Sequence, residues 1–385
     1  MPIFHKAIPR AAALLAAFWF VEGTLLAADP SLSAETSANK PYESTKTEGK
    51  FLPLPIFITE PAIGEGLGAS LIYFHGQEDR ENPRATTARE ISKTAEHSKA
   101  PPTATGIFGF YTNSDSAAVG IGHSNSFQDD NYRLLAAGAQ ARINSQLYIS
   151  DAAFDFRLEG EMLFAKLKRR LGDSNAFVGL SMSYMNAETR FYSGIPALDD
   201  TDLLRSNFVD AGLAASLIYD NRDNTMMPES GYLVDLTDWR HNESLGGDFD
   251  YRITKLKALY FRHLGADYVL GLRFDASSAS GDVPFFSAPY VSLRGIPALR
   301  YQGKRTAAFE IEARRYFGER WLGSLFTGTG YVVSGFDFGE TDNDIFNYGF
   351  GLRYLALPKQ DAWVGLDIAR GPEDTAWYIQ MGSSW

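Results

Sequence analysis

The sequence predicts an antiparallel membrane β-barrel of about sixteen strands. Three observations lead there. From Gly64 onward, strand-length segments alternate large apolar residues with small or polar ones, most cleanly in Phe346-Asn347-Tyr348-Gly349-Phe350-Gly351-Leu352-Arg353-Tyr354. Period two with one apolar and one polar face marks a half-buried strand. The composition favours β structure, with 14% aromatics, 19 Tyr, 27 Phe and 35 Gly in 385 residues. Beyond the N-terminus no stretch is apolar enough for a membrane helix, so a membrane location requires a closed barrel. Alternation alone fits a soluble sandwich with its apolar face inward as well as a barrel with that face outward. An export signal and aromatic strand ends favour the barrel.

The net charge of −11 argues against a nucleic-acid partner. The chain has no cysteine, which excludes zinc-thiolate sites, disulfides and a cysteine nucleophile. Residues 1–28 read as a signal peptide: His5, Lys6 and Arg10 precede an apolar run from Ala11 to Val21, too short to span a bilayer. Residues 29–63 read as a short periplasmic leader. Its end carries Pro53, Pro55 and Pro61, which remove ladder donors, so Phe51 to Pro61 reads as an extended lead-in rather than a spanning strand.

The barrel then occupies 64–385. The first strands fall near 64–76, 103–113, 116–126, 131–143, 145–157, 159–172 and 174–190, and the series continues to 374–385. With the first strand running outward, the long connections at 77–102, 191–205 and 281–302 all face the cell exterior. The opposite turns, such as 113–115, 172–174 and 358–360, are short. Long outside and short inside is the outer-membrane pattern.

Within the 281–302 loop stands Val291-Ser292-Leu293-Arg294-Gly295-Ile296, followed by Arg300-Tyr301-Gln302-Gly303 and Glu310-Ile311-Glu312-Ala313-Arg314. Earlier come Asp220-Asn221-Arg222-Asp223, then Pro228 and Gly231. This series resembles the signature of the bacterial surface antigen superfamily, the outer-membrane barrels that insert other barrels or export polypeptides. The resemblance implies that Leu293, Arg294 and Gly295 form a loop folded into the lumen, its arginine paired with a wall carboxylate. It also implies a periplasmic turn at Asp220, Arg222, Asp223, Pro228 and Gly231. Residues two apart share a strand face, so Glu310, Glu312 and Arg314 project together. That face must look into the lumen, since Arg or Lys facing lipid costs about 2–4 kcal/mol. Glu310 and Glu312 are therefore the candidate partners of Arg294, Glu312 foremost. The acidic turn lacks calcium-loop spacing, so Asp and Asn side chains bonding nearby amides are its plainer reading.

The chain departs from the family at three places. Ile296 stands where an aromatic usually follows Arg-Gly. In Phe326-Thr327-Gly328-Thr329-Gly330, Gly328 occupies the position of the usual acidic partner. Ahead of Gly64 there is no room for a polypeptide-transport-associated domain of ordinary size, so the resemblance is to a short member lacking such domains.

Gly64, Gly66 and Gly68 would open the first strand and weaken a seam between first and last strands; a tight bend or close backbone approach is the plainer reading. Thr375 to Trp385 ends in an aromatic, and Gly382 with Trp385 resembles the C-terminal signal that barrel-assembly machinery recognises, though a last amphipathic strand would look alike. No metal-ligand spacing surrounds His75, His97 or His123, and no nucleophile, phosphate-loop or dinucleotide motif occurs, so neither cofactor nor enzyme activity is expected. The expected role is insertion of outer-membrane proteins, or polypeptide translocation, through a weak first/last-strand seam. The expected partners are the lipid bilayer, client outer-membrane polypeptides and, during biogenesis, the barrel-assembly machinery. A passive or gated pore for small solutes is the alternative.

Overall fold

The computed structural model describes residues 49–60, 62–75, 103–128, 130–149, 152–195, 199, 201–334, 345–357, 362–373 and 375–385. The expected signal peptide and most of the leader lie outside them. The strands are β1 (Lys50–Glu60), β2 (Gly64–Phe74), β3 (Ala104–Thr112), β4 (Ala117–Phe127), β5 (Tyr132–Ile149), β6 (Ala152–Arg170), β7 (Ala176–Phe191) and β8 (Arg205–Asp220). They continue as β9 (Gly231–His241), β10 (Tyr251–His263), β11 (Tyr268–Gly281), β12 (Arg305–Phe317), β13 (Trp321–Ser334), β14 (Ile345–Leu357), β15 (Ala362–Arg370) and β16 (Thr375–Met381). Each pairs antiparallel with its neighbours in chain order, forming one 16-stranded sheet that curls into a nearly closed barrel with β1 beside β16.

The faces are inverted relative to a soluble protein. In β14, Phe346, Tyr348, Phe350, Leu352 and Tyr354 are exposed, whereas Asn347 and Arg353 are only 0% and 2% exposed. In β12 the even-numbered residues Glu310, Glu312 and Arg314 are buried while Phe309 is 40% exposed. Apolar outside and charged inside is the membrane-barrel arrangement and resolves the sandwich alternative.

Two features of the strand assignment correct the sequence reading. The barrel begins at Lys50 rather than Gly64, because 51–60 is not a lead-in but most of β1. Proline is compatible with a strand when its missing N–H would face away from the paired neighbour. Conversely, 131–172 holds two strands where three were expected. Asn144 and Arg157, near the expected breaks, instead pair across β5 and β6, with Arg157 Nε donating to Asn144 Oδ1 at 2.9 Å. The two errors offset in the total but shift the parity of the early strands. The connection spanning 76–103 thus leaves the barrel at the end of 128–131 and 171–175, opposite 192–204 and 282–304. The turn at 113–116 likewise moves to the end of the long 282–304 loop. With 18 and 19 residues, β5 and β6 reach about 60 Å at strand rise, well beyond the ~25 Å apolar band.

The loop 282–304 folds into the lumen. Phe285 and Phe286 pack with Phe156, Phe191, Phe208 and Phe249 of the wall and the neighbouring connection. Val291, Leu293, Ile296 and Tyr301 pack against Ala308, Val332 and Ile345. A bridge between Tyr290 and Gln302 closes the loop into a hairpin-like tongue.

A lumenal charge cage and an unpaired seam

The loop directs Arg294 into a cluster of buried carboxylates. Its Nε donates to Glu310 Oε1 at 2.6 Å, and Nη2 donates to the same oxygen. Nη1 donates to Glu312 Oε2 at 2.8 Å, to Asp367 Oδ2 at 2.9 Å and to Ser384 Oγ at 3.0 Å. The guanidinium lies over the Phe326 ring, 3.3 Å from its centroid. Glu310 and Asp367 are fully buried and Arg294 is 7% exposed, so this is a low-dielectric site where charge must be balanced in place.

Further arginines complete the balance. Arg314 Nε donates to Glu312 Oε1 at 2.7 Å, and Arg353 Nη2 donates to Asp367 Oδ2 at 2.9 Å. Arg273 Nη1 stands 3.7 Å from Glu310 Oε2, while its Nε donates to Asp275 Oδ2 at 2.7 Å. Arg273, Arg294, Arg314 and Arg353 thus face Asp275, Glu310, Glu312 and Asp367. Glu310, not Glu312, receives two donors from Arg294, and Asp367 takes part although the sequence reading had not singled it out. Its signal was present: in Ala362–Arg370 one carboxylate, Asp367, follows the outward Val364 and Leu366 on the opposite, inward face.

Gly295 makes the turn into the cage possible. Its φ is +83°, and a Cβ there would stand 2.9 Å from the Gly371 nitrogen and 3.1 Å from the Ala369 carbonyl carbon. Its N–H donates to Tyr378 Oη at 2.9 Å, tying the loop to β16. Leu293 packs into the loop's own apolar cluster. At Gly328 a Cβ would meet the Phe309 carbonyl oxygen at 2.6 Å and Asn347 Oδ1 at 2.7 Å, which leaves no room for the carboxylate usual at that position.

The turn after β8 is held by its own side chains. Arg222 bonds Asp220 through Nε at 2.8 Å and Nη2 at 2.9 Å. Asp223 Oδ1 accepts from the N–H groups of Asn224 and Glu229, at 2.9 and 3.0 Å. Pro228 offers its carbonyl to Arg314 Nη1 at 2.9 Å, and Gly231 takes φ +93° as β9 begins. The turn therefore touches the cage through Arg314. Among the described residues no group of His, Cys, Asp and Glu is arranged to hold a metal ion.

A second clamp holds the β4–β5 turn. Asp130 accepts from Arg133 Nε and Nη2, each at 2.7 Å, from Ser126 Oγ at 2.6 Å and from Arg170. Burial pushes its carboxyl pKa up, but the Arg133 and Ser126 hydrogen bonds and the Arg133 and Arg170 charges together hold it below the usual range.

At the seam, β1 and β16 lie side by side, yet no ladder joins them among the described residues. A side-chain hydrogen bond crosses it, Trp377 Nε1 donating to Glu65 Oε1 of β2 at 3.2 Å. Gly64, Gly66 and Gly68 are not on this edge: they lie in β2, between β1 and β3, with Gly66 and Gly68 close against the carbonyls of Tyr111 and Gly109. The chain also leaves β16 earlier than Trp385. Gly382, at φ +76°, turns the last residues inward, where the Ser383 N–H donates to the Met226 carbonyl and Trp385 packs near Phe261. Trp385 therefore does not share the outward face of Trp377, because the ladder with β15 stops there.

Comparison with known proteins agrees with this architecture. BamA from Haemophilus ducreyi lacking POTRA domains 1–3 is similar over 96% of this chain and 78% of its own, with a TM-score of 0.58 and 13% identity. CdiB from Escherichia coli is similar over 87% of this chain and 63% of its own, with a TM-score of 0.58 and 10% identity. CdiB from Acinetobacter baumannii covers 86% of this chain and 59% of its own, with a TM-score of 0.55 and 11% identity. At such identities the likeness is one of fold. No curated protein sequence matches the chain. The family described as the Omp85 superfamily domain matches residues 84–292, more than half of the sequence. With charges turned inward, apolar residues turned to lipid and this domain matched over residues 84–292, the chain belongs to the Omp85 superfamily of outer-membrane barrels.

Proposed function

We propose that this barrel assists the insertion of outer-membrane proteins, or the translocation of polypeptide, by opening between its first and last strands. The observation that carries the reading is the seam: two adjacent strands with no ladder between them among the described residues, crossed by the Trp377–Glu65 hydrogen bond. An unpaired edge is a ready template for another strand, and main-chain pairing to such an edge is the physics of β-augmentation. The cage supports the same reading. Arg294 holds the loop to β12 and β15, and Gly295 ties it to β16, so the loop braces the wall beside the seam. Proteoliposomes containing the full chain should speed the folding of an added urea-denatured outer-membrane barrel relative to empty liposomes. Unchanged folding rates would reject this role.

A second reading rests on the lumen between the tongue and the wall. A cavity of about 380 Å³ there is lined by Lys166, Asp235, Lys255, Lys257 and Asp275, among others. A charged, partly open lumen also suits a gated pore for small solutes. Ion conductance in planar bilayers without any effect on client folding would favour it.

A further inference from the structure

Backbone hydrogen bonds fix which neighbour each residue of β1 addresses. In an antiparallel ladder, the N–H and C=O of one residue point to the same side, and successive residues alternate sides. In β2, the Glu65 carbonyl accepts from the Asn113 N–H at 2.7 Å, and the His75 N–H donates to the Thr103 carbonyl at 2.9 Å. Odd-numbered residues of β2 therefore address β3, and even-numbered ones address β1. The register sets Ile72 opposite Leu52, Ser70 opposite Leu54 and Gly68 opposite Ile56. Phe51, Pro53, Pro55, Phe57 and Thr59 are left facing the seam. Across it, the Gly382 N–H donates to the Trp363 carbonyl at 2.7 Å. Even-numbered residues of β16 thus address β15, and Thr375, Trp377, Ile379 and Met381 face the seam.

The two edges differ in what they can donate. On β1, the successive seam positions Pro53 and Pro55 have no N–H. On β16, all four seam residues carry both a donor and an acceptor. Proline on a sheet edge blocks strand addition. The seam-facing residues of β16 also include the outward Trp377. A strand added in register there must turn apolar residues outward at every second position to meet lipid.

We propose that β16, not β1, is the edge onto which a client strand adds, the client being an unfolded barrel polypeptide of alternating apolar and polar residues. This rests on the assembly reading and specifies which side of the seam acts. Pro53 and Pro55 keep β1 from templating the same strand and from closing the barrel by a full ladder.

Disulfide trapping tests the assignment, and the absence of native cysteine makes it clean. Ile379→Cys and Phe57→Cys would be placed separately in the full chain, reconstituted in liposomes and checked for a folded barrel by heat-modifiable migration. The probe is a proline-free peptide of alternating valine and serine, supplied as a set with one cysteine at successive positions. Trapping should favour Ile379→Cys over Phe57→Cys by about tenfold, the ratio that loss of two backbone hydrogen bonds can produce. Adding Pro53→Val and Pro55→Val to Phe57→Cys should raise trapping on β1. Equal trapping at both edges, preference for Phe57→Cys, or no trapping at either would overturn the proposal, as would a proline-free β1 that stays inert. A chain that traps the peptide at Ile379→Cys but does not speed client folding would retire the assembly reading and leave the edge assignment standing. One that speeds folding but traps at Phe57→Cys would do the reverse.

Discussion

Arg294 is neutralised by carboxylates from two strands that are not neighbours, so its removal leaves Glu310, Glu312 and Asp367 crowded without their shared cation. Breaking a buried ion pair by deleting one partner costs about 3–5 kcal/mol. Arg294→Ala should lower the unfolding temperature in detergent on that scale. Arg294→Ala combined with Glu310→Ala should cost less than the sum of the two, because contacting residues couple by about 0.5–3 kcal/mol. Strict additivity in a double-mutant cycle would refute the pairing. Gly328→Asp, which restores the residue common in the family, should destabilise by about 1–3 kcal/mol, as overpacking does. The cage already has its acids, and the Phe309 carbonyl and Asn347 occupy the space a side chain needs. Thermal unfolding of that variant decides between rescue and clash. The carboxylates on β12 were readable in the sequence because charges at alternate positions of a membrane strand must face inward. That Asp367 and Ser384 meet Arg294 was not readable, because only the curl of the sheet around the tongue brings them to it.

At the scale of elements, turns and edges carry the most specific chemistry. Asp130 clamps the β4–β5 turn through Arg133 and Arg170. Its folded pKa lies below its unfolded value of about 4, so the stability it adds is fully present above that value. It is lost as pH falls through the lower, folded pKa. Asp130→Asn should therefore cost about 1–3 kcal/mol near neutral pH, and the gap from the parent should close on strong acidification. Denaturant unfolding of both proteins at neutral and acid pH measures this; a gap that does not change with pH would show that the carboxylate charge plays no part. The clean alternation of β14 was legible because aromatics and glycines mark its two faces. Strand β1 was hidden because its prolines speak against a ladder, and only the parity of the β2 bonds shows that their missing donors face the seam. In β5 and β6, Asn144 read as a break and Arg157 as a strand end, but the two are a cross-strand pair.

For the whole molecule, strand parity decides sidedness. An epitope near Asp200 should be reached by antibody on intact cells, because 192–204 opens at the same end as the 282–304 loop. An epitope near Glu90 should be protected, as should one at 358–361, because both connections open at the other end. Surface labelling of Glu90 together with Asp200 would contradict the strand order. The total of sixteen strands was legible from segment lengths, whereas the phase of the early ones was not, since one missed strand and one surplus strand leave the sum unchanged. The cage also bears on the order of folding. Arg294 bonds Asp367, 73 positions later, and Ser384, 90 positions later. Contacts of such sequence separation form late, after the intervening loop entropy has been overcome. The tongue cannot lock until β15 and the residues after β16 have arrived, so its docking is a built-in signal of completion: an unfinished barrel keeps a loose tongue and a finished one swallows it.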